Sequence, residues 1–316
     1  MKKKFALMLA VSMAVGTVLT GCGDAAGKAA DTQANEAESA QAEDAAQEAE
    51  TGAAESTDAA AETDDAGTDG GAAADGAEAS VDMGLVYAVE AGSAGEAAAQ
   101  DNGLQTNVVA SQADALMEVA AGTSDAAIID LLMAGAMIGE GTSYPGLTHT
   151  TELTTEEYGV GCRKGSDLAS YINAVFGESY ADGSMKETAA AYGVQEALVE
   201  QAEAEFTASA EDSDVAYIQE KGSLIVGITE FEPMDYQDES GEWVGFDADM
   251  ARLIAEKLGV EAQFVVIDWD NKIMELESKN IDVVWNGMTL TAETTSAMEC
   301  TNAYCNNAQV IVVPAE

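Results

Sequence analysis

Basic residues are scarce in this 316-residue chain: 12 lysines and arginines face 58 aspartates and glutamates, for a formal net charge of −46. That imbalance repels phosphate backbones and anionic headgroups, so a nucleic-acid or polyanion-binding role is excluded. Histidine is almost missing. The single one, His149, lies in a polar run that reads as surface, which speaks against a His-built metal site or a Ser-His-Asp triad. Four cysteines, Cys22, Cys162, Cys300 and Cys305, form no CxxC pairs, so no zinc site is implied and no cofactor is expected. Aromatics reach only 6%, and the 47% hydrophobic content is inflated by alanine in a low-complexity tract.

What is present begins with an address. Residues 1–21 open with three lysines, continue through an apolar run from Phe5 to Leu19, and end at Leu19-Thr20-Gly21-Cys22. This is the layout of a secretory signal, too short and wrongly flanked for a spanning helix. Leu-Thr-Gly-Cys resembles a bacterial lipobox. The resemblance implies cleavage before Cys22, lipidation of Cys22, and anchoring at the extracellular face of a bacterial cell membrane. Each buried CH₂ of such an anchor contributes about 0.8 kcal/mol. Residues 23–80 then contain no Leu, Ile, Val, Met, Phe, Tyr, Trp or Pro, but 16 acidic residues and one lysine. Nothing there can be buried to offset chain entropy, so 22–81 is expected to be a disordered acidic tether. A flexible chain of that length spans roughly 40–45 Å.

From Leu85 the pattern changes to alternating strands and helices. Leu85 to Glu90 reads as a strand, Gly92-Ser93 as a turn, and Ser93 with Glu96 as a capping box opening a helix. Ser111 caps a second helix closed by Gly122, and Asp125 to Asp130 is a buried strand ending in an acid. Acids at the carboxyl ends of strands in open α/β sheets face the ligand crevice. Tyr158 to Cys162 is a further strand, followed by helices expected at about 167–176, 184–192 and 194–206 and a polar linker at 207–221. A second series starts at Leu224 to Ile228. It runs through a helix from Phe246 to Leu258, a strand at 263–267, a helix near 270–279, the strand Ile281 to Trp285, a turn at Asn286 to Thr291, and the strand Gln309 to Val313. Strands alternating with helices in both halves indicate two α/β lobes.

Several segments carry a family pattern: Gly241 to Asp247, Ile267-Asp-Trp-Asp270 and Ile281 to Thr291 in one half, with Ala88 to Ser93, Ala126 to Asp130 and Glu156 to Gly165 in the other. Together they resemble the extracellular solute-binding lipoproteins of amino-acid-type ABC importers. The resemblance implies an α/β, bilobed type II periplasmic-binding-protein fold. The order of the pieces differs from the family's, because the segment like its first lobe comes last. The chain therefore resembles a circular permutation. The domains expected are a signal at 1–21, the tether at 22–81, the second lobe at 82–156, the return crossing strand and C-terminal-type helices packing on the first lobe at 157–206, a linker at 207–221, the first lobe at 222–308 and the outgoing crossing strand at 309–316.

The resemblance also implies a ligand site. Phe231 matches an aromatic that covers the ligand, and Trp269 an apolar wall on its other side. Trp285, Asn286, Gly287 and Thr289 form the turn that contacts ammonium and carboxylate. Gly92 and Ser93, at the capped helix start, match a carboxylate contact, Asp130 the ammonium-binding acid, and Glu90 a position facing the ligand side chain. One departure stands out. The position of the family's carboxylate-gripping arginine is Thr294 here, while Glu90, Glu230 and Glu232 make the expected cleft acidic. A cationic amine or basic amino acid is the better electrostatic match. Arg163 is a second candidate for the missing arginine. Cys300 and Cys305 either pair or stay as free thiols in place of the family's Phe and Tyr, and Cys162 reads as core.

The function implied is a monomeric, lipid-anchored receptor that captures a small solute and delivers it to an ABC permease and its ATPase, without acting as an enzyme. The alternatives are a tethered ligand sensor without transport and a dehydratase-like enzyme on the same fold.

Overall fold

Parallel β-strands buried on both faces need nearly continuous apolar text, and the chain supplies it twice. In the computed structural model, residues 81–209 and 211–315 are described. The signal segment, Cys22 and the acidic tract up to residue 80 lie outside the described residues, and so do the expectations made for them.

In lobe I, β1 (Val86–Glu90), α1 (Ala94–Asp101), β2 (Gln105–Val109), α2 (Gln112–Ala121), β3 (Ala126–Asp130), α3 (Leu131–Met137) and β4 (Leu147–Glu152) follow one another. The strands β5 (Glu156–Tyr158) and β6 (Gly161–Cys162) lead across to lobe II, where α4 (Leu168–Asp182), α5 (Ser184–Ala191) and α6 (Asp214–Lys221) precede β7 (Ser223–Ile228). Then come β8 (Tyr236–Gln237), β9 (Trp243–Val244), α7 (Phe246–Leu258), β10 (Glu261–Val266), a 3₁₀ turn at Trp269–Asn271, α8 (Lys272–Glu277), β11 (Val283–Val284), α9 (Ala292–Ala297) and β12 (Glu299–Cys300). Finally β13 (Cys305–Asn307) and β14 (Gln309–Pro314) return to lobe I.

The sheet of lobe I has the order β2-β1-β3-β14-β4, and that of lobe II the order β10-β7-β11-β6-β12. Each sheet thus includes a strand distant in sequence from its neighbours. β14 runs antiparallel between β3 and β4, with Gln309 opposite Asp130, and β6 runs antiparallel beside β11, with Cys162 opposite Val283. Between the lobes, β5 and β13 pair antiparallel, Tyr158 opposite Cys305. The two lobes are therefore stitched by two neighbouring crossings.

Local signals explain most boundaries. Ser111 Oγ accepts the Asp114 amide at 3.0 Å, and Gly122 ends α2 with φ 73°. Gly259 ends α7 in the same left-handed way, φ 75°. Ser93 caps α1 as expected, accepting the Glu96 amide at 3.1 Å, but Glu96 reaches back to the amide of Gly92, 2.7 Å away, not to that of Ser93. The Ser93 amide instead donates to Glu90 O.

Four further expectations need correction. No helix forms at 194–206. Asn306 donates to Ala197 O and Val199 to Tyr304 O, so backbone pairing with the β13 region overrides the helix propensity of an Ala/Glu-rich stretch. Just beyond, residues 202–203 lie flat on α4, where a Cβ on Gly177 would come 2.4 Å from Ala202 O. The linker at 207–221 is half helix, because Ser213 caps α6 and Asp214 is drawn into a buried ion pair. The strand 281–285 is regular only at Val283–Val284, and the helix near 270–279 splits into a 3₁₀ turn and α8.

The lobe I core is built largely of small side chains, Ala88, Ala99, Ala115, Ala126 and Ala127, with Ile128 and Ile129. Lobe II packs rings: Trp285 stands edge-on to Phe176 at 5.7 Å, and Phe176 to Tyr304 at 5.7 Å. Cys162, Cys300 and Cys305 are free thiols. Cys162 is fully buried, and His149 lies exposed on β4. Among the described residues no helix is long and apolar enough to cross a membrane, and no group of three or more His, Cys, Asp or Glu could hold a metal.

Candidate functional site

The carboxyl ends of β1 and β3 in lobe I and the segments after β10 and β11 in lobe II meet at one small cavity of about 70 Å³. Room of that size is several times what a single water needs. Nine residues expected at the site line it: Glu90, Gly92, Ser93, Asp130, Trp269, Asn286, Gly287, Thr289 and Thr294. They come from both lobes. The lobes touch beside it, since a Cβ on Gly92 would fall 2.7 Å from the Asp270 Cα, and Gly92 takes φ +67° there. Only glycine suits that conformation and that approach together.

Two expected residues are not brought to the cavity. Phe231 is 2% exposed and packs beneath the turn, where a Cβ on Gly287 would meet it at 2.4 Å. Its ring stands edge-on to Tyr158, 6.3 Å between centroids. Trp285 points into the lobe II core against Phe176 and Tyr304. Both sit where alternation along the chain turns large apolar side chains inward, and burying such rings outweighs exposing them to a cleft. Glu230 is exposed and Glu232 half-buried, and neither lines the cavity. Arg163 is far from it in function: its guanidinium pairs with Asp214 at 2.9 Å and Asp282 at 3.3 Å and donates to Ile281 O.

The two acids of lobe I differ sharply. Asp130 Oδ1 accepts from Tyr158 Oη at 2.6 Å, from Gln309 Nε2 at 2.9 Å and from the Asn307 amide, and Oδ2 accepts from Gln112 Nε2. Four protein donors thus converge on it, three of them at Oδ1. Burial, and then the neighbouring Glu156 carboxylate, push its pKa up to about 7. Glu90 is 2% exposed, and its Oε1 has no hydrogen-bond partner. Burial first, and then the Asp130 carboxylate, push Glu90 up to about 8, against the pull of Lys272. Asn286 Oδ1 is also buried without a partner, although its amide nitrogen donates to Thr229 Oγ1 at 2.8 Å. Unpaired buried acceptors are rare in proteins, and here two of them belong to residues lining one cavity.

The turn residues are fixed from behind. Asp247 Oδ2 accepts the Gly287 amide at 2.7 Å and the Tyr304 hydroxyl at 2.7 Å, so burial raises its pKa to about 7 while these bonds lower it. Thr289 Oγ1 donates to Glu156 at 3.0 Å. Thr294, at the family's arginine position, completes a reciprocal cap of α9: its hydroxyl accepts the Thr291 amide at 2.9 Å, and its own amide donates to Thr291 Oγ1 at 3.1 Å.

Sequence reasoning missed Lys272. It is 9% exposed, lines the cavity, and its Nζ donates to Gly92 O at 2.8 Å and Trp269 O at 3.2 Å, bridging the lobes. Burial lowers its pKa. A signal existed: Lys272 opens α8, where the helix dipole disfavours a cation, so a tertiary reason for it was to be sought. Gln112 was also missed, since it reads as an ordinary first residue of α2.

Residues 224–316 match the profile of the bacterial extracellular solute-binding proteins, family 3. Over that segment the chain is similar to this family. The L-cystine-binding protein TcyJ of Escherichia coli (strain K12) is 38% identical over 77 residues, 24% of this chain and 29% of that protein. The arginine-binding extracellular protein ArtP of Bacillus subtilis (strain 168) is 33% identical over 93 residues, 29% of this chain and 36% of that protein. A cyclohexadienyl dehydratase of Pseudomonas aeruginosa is 33% identical over 85 residues, 27% of this chain and 32% of that enzyme. The chain thus spans about a third of the length of the curated relatives it matches. Among solved structures, the arginine-bound form of domain 1 from TmArgBP is 35% identical over 31% of this chain and 84% of that one, with a TM-score of 0.25. Binding proteins outnumber the enzyme among these relatives.

Proposed function

We propose that this chain is a solute receptor that captures a small amino-acid-like or cationic amine solute between its two lobes and delivers it to an ABC permease and its ATPase. The observation that carries the reading is the cavity itself, where nine residues from both halves of the chain converge beside two unpaired buried acceptors. The ligand would bind through Glu90, Ser93, Asn286, Gly287 and Thr289, with Trp269 as an apolar wall. Contacts to both lobes favour the closed arrangement over an open one, which is what a permease can sense. Cys22 would carry the lipid anchor and residues 22–81 the tether. The chain order, with lobe I elements preceding β7–β12, supports a circularly permuted fold of domains as laid out above.

A thermal-shift screen of the full chain against basic, neutral and acidic amino acids and amines tests this. At least one basic or neutral compound is expected to raise Tm in a concentration-dependent way. No shift with any of them overturns the receptor reading.

A dehydratase-like activity is the second reading. It is favoured by Glu90, a buried carboxyl held near pKa 8 at a cavity, which is what a general acid requires. Product formation from a bound ligand would separate the two.

A further inference from the structure

The cleft lacks the arginine that the family pattern places on the ligand carboxylate, and its family-type ammonium acceptor, Asp130, already takes four protein donors. Thr294 is committed to capping α9. Asp130 accepts from Tyr158, Gln309, Asn307 and Gln112. A zwitterion entering this cavity therefore meets neither expected partner in a free state. Two other groups, a buried ammonium and a buried carboxyl, have open hydrogen-bonding capacity. Lys272 is a buried ammonium with three N–H donors, of which two go to the carbonyls of Gly92 and Trp269. Among the described residues no carboxylate oxygen lies within 4 Å of it. Glu90 is a buried carboxyl with an unpaired oxygen. Both line the same cavity, one from each lobe.

We propose that Lys272 is the carboxylate-binding cation of this cleft and Glu90, with Asn286 beside it, the ammonium acceptor. The pair replaces the arginine and aspartate of the family pattern. The physical reason is dipolar match. The site presents a positive group at the start of α8 and acceptors at the end of β1 and on the turn after β11. An α-amino acid laid between them satisfies the third Lys272 N–H and the Glu90 and Asn286 oxygens at once. A simple amine satisfies only the acceptors and leaves Lys272 facing a second cation. This inference rests on the receptor reading and sharpens it: the substrate class is α-amino acids, not amines lacking a carboxylate. Because Lys272 also bonds Gly92 O of the other lobe, the carboxylate would be gripped at the point where the lobes meet.

The test is isothermal titration calorimetry on the full chain with four matched pairs: L-arginine and agmatine, L-lysine and cadaverine, L-histidine and histamine, L-cystine and cystamine. The unsubstituted chain is expected to bind at least one amino acid and to prefer it to its decarboxylated partner by about 30-fold or more. Lys272→Gln is expected to weaken the amino acid by a similar factor while leaving the amine unchanged, so the preference collapses. Lys272→Arg should keep it, and Thr294→Arg placed in the Lys272→Gln background should recover part of it. Glu90→Gln should weaken amino acid and amine alike. Since the preference is a ratio within one variant, loss of stability does not imitate the result, and Lys272→Met serves if Lys272→Gln fails to fold. An amino-acid preference that survives Lys272→Gln or Lys272→Met overturns the Lys272 assignment and leaves the receptor reading intact. Amines bound better than amino acids by the unsubstituted chain overturn it too. Binding of none of the eight compounds overturns the receptor reading itself.

Discussion

Two of the clusters of buried polar and charged groups among the described residues are completed differently. Around Arg163 every charge has its partner. Its guanidinium meets Asp214 and Asp282, Asp282 also takes Lys221 Nζ at 2.5 Å and the Ile225 amide at 2.8 Å, and the Tyr217 ring lies under Arg163 and Lys221. At the cleft, Glu90, Asn286 and Lys272 are as deeply buried but leave two acceptors and a donor open. The first arrangement locks α6 and the β11 segment onto the strand that crosses between the lobes. The second leaves open polar groups lining the cavity, as the proposed receptor role requires. Similar burial thus accompanies a fully paired cluster in one place and open polar groups lining a cavity, the proposed binding site, in the other.

The comparison is broken most forcefully at the complete cluster. Arg163→Met strips buried Asp214 of its cation and Asp282 of one of its two and should cost on the order of 3–5 kcal/mol, read from the midpoint of chemical denaturation. A loss well under 1 kcal/mol would mean that the cluster is not what holds the crossing.

The incomplete cluster should behave in the opposite sense. The folded chain keeps a proton on Glu90 up to about pH 8 and on Asp130 and Asp247 up to about pH 7, whereas unfolded carboxyls lose it near pH 4–4.5. Unfolding therefore releases protons between these limits, and stability should fall as pH rises from about 5 to about 8. Glu90→Gln removes one such group. It should stabilise the chain at pH 8 by on the order of 1–3 kcal/mol and change little at pH 5. Equal effects at both pH values would contradict the burial argument.

Most of the scaffold was legible because it follows local rules. The Ser111 and Gly122 ends of α2, the Gly259 stop of α7 and the all-buried β3 are set by caps and apolar runs within the chain. The misreadings have one cause: backbone groups satisfied by distant partners. Residues 194–206 give up helix to pair with the β13 region, and Asp214 turns an apparent linker into α6 because Arg163 needs a carboxylate. At the site, turn and strand ends could be read as facing the cavity, but the direction of a ring could not. Phe231 and Trp285 belong to the core through contacts with Tyr158 and Phe176, which lie more than 70 residues earlier. Nor could pairing be read. Nothing local tells that Asp130 takes donors from Asn307 and Gln309 at the far end of the chain, while Glu90 Oε1 is left open.

The most direct measurement is hydrogen–deuterium exchange of the full chain with and without the amino acid that gives the largest thermal shift. The account predicts added amide protection at 90–95 in lobe I together with 269–272 and 286–294 in lobe II. Protection confined to one lobe, or to none of these segments, would contradict capture between the two.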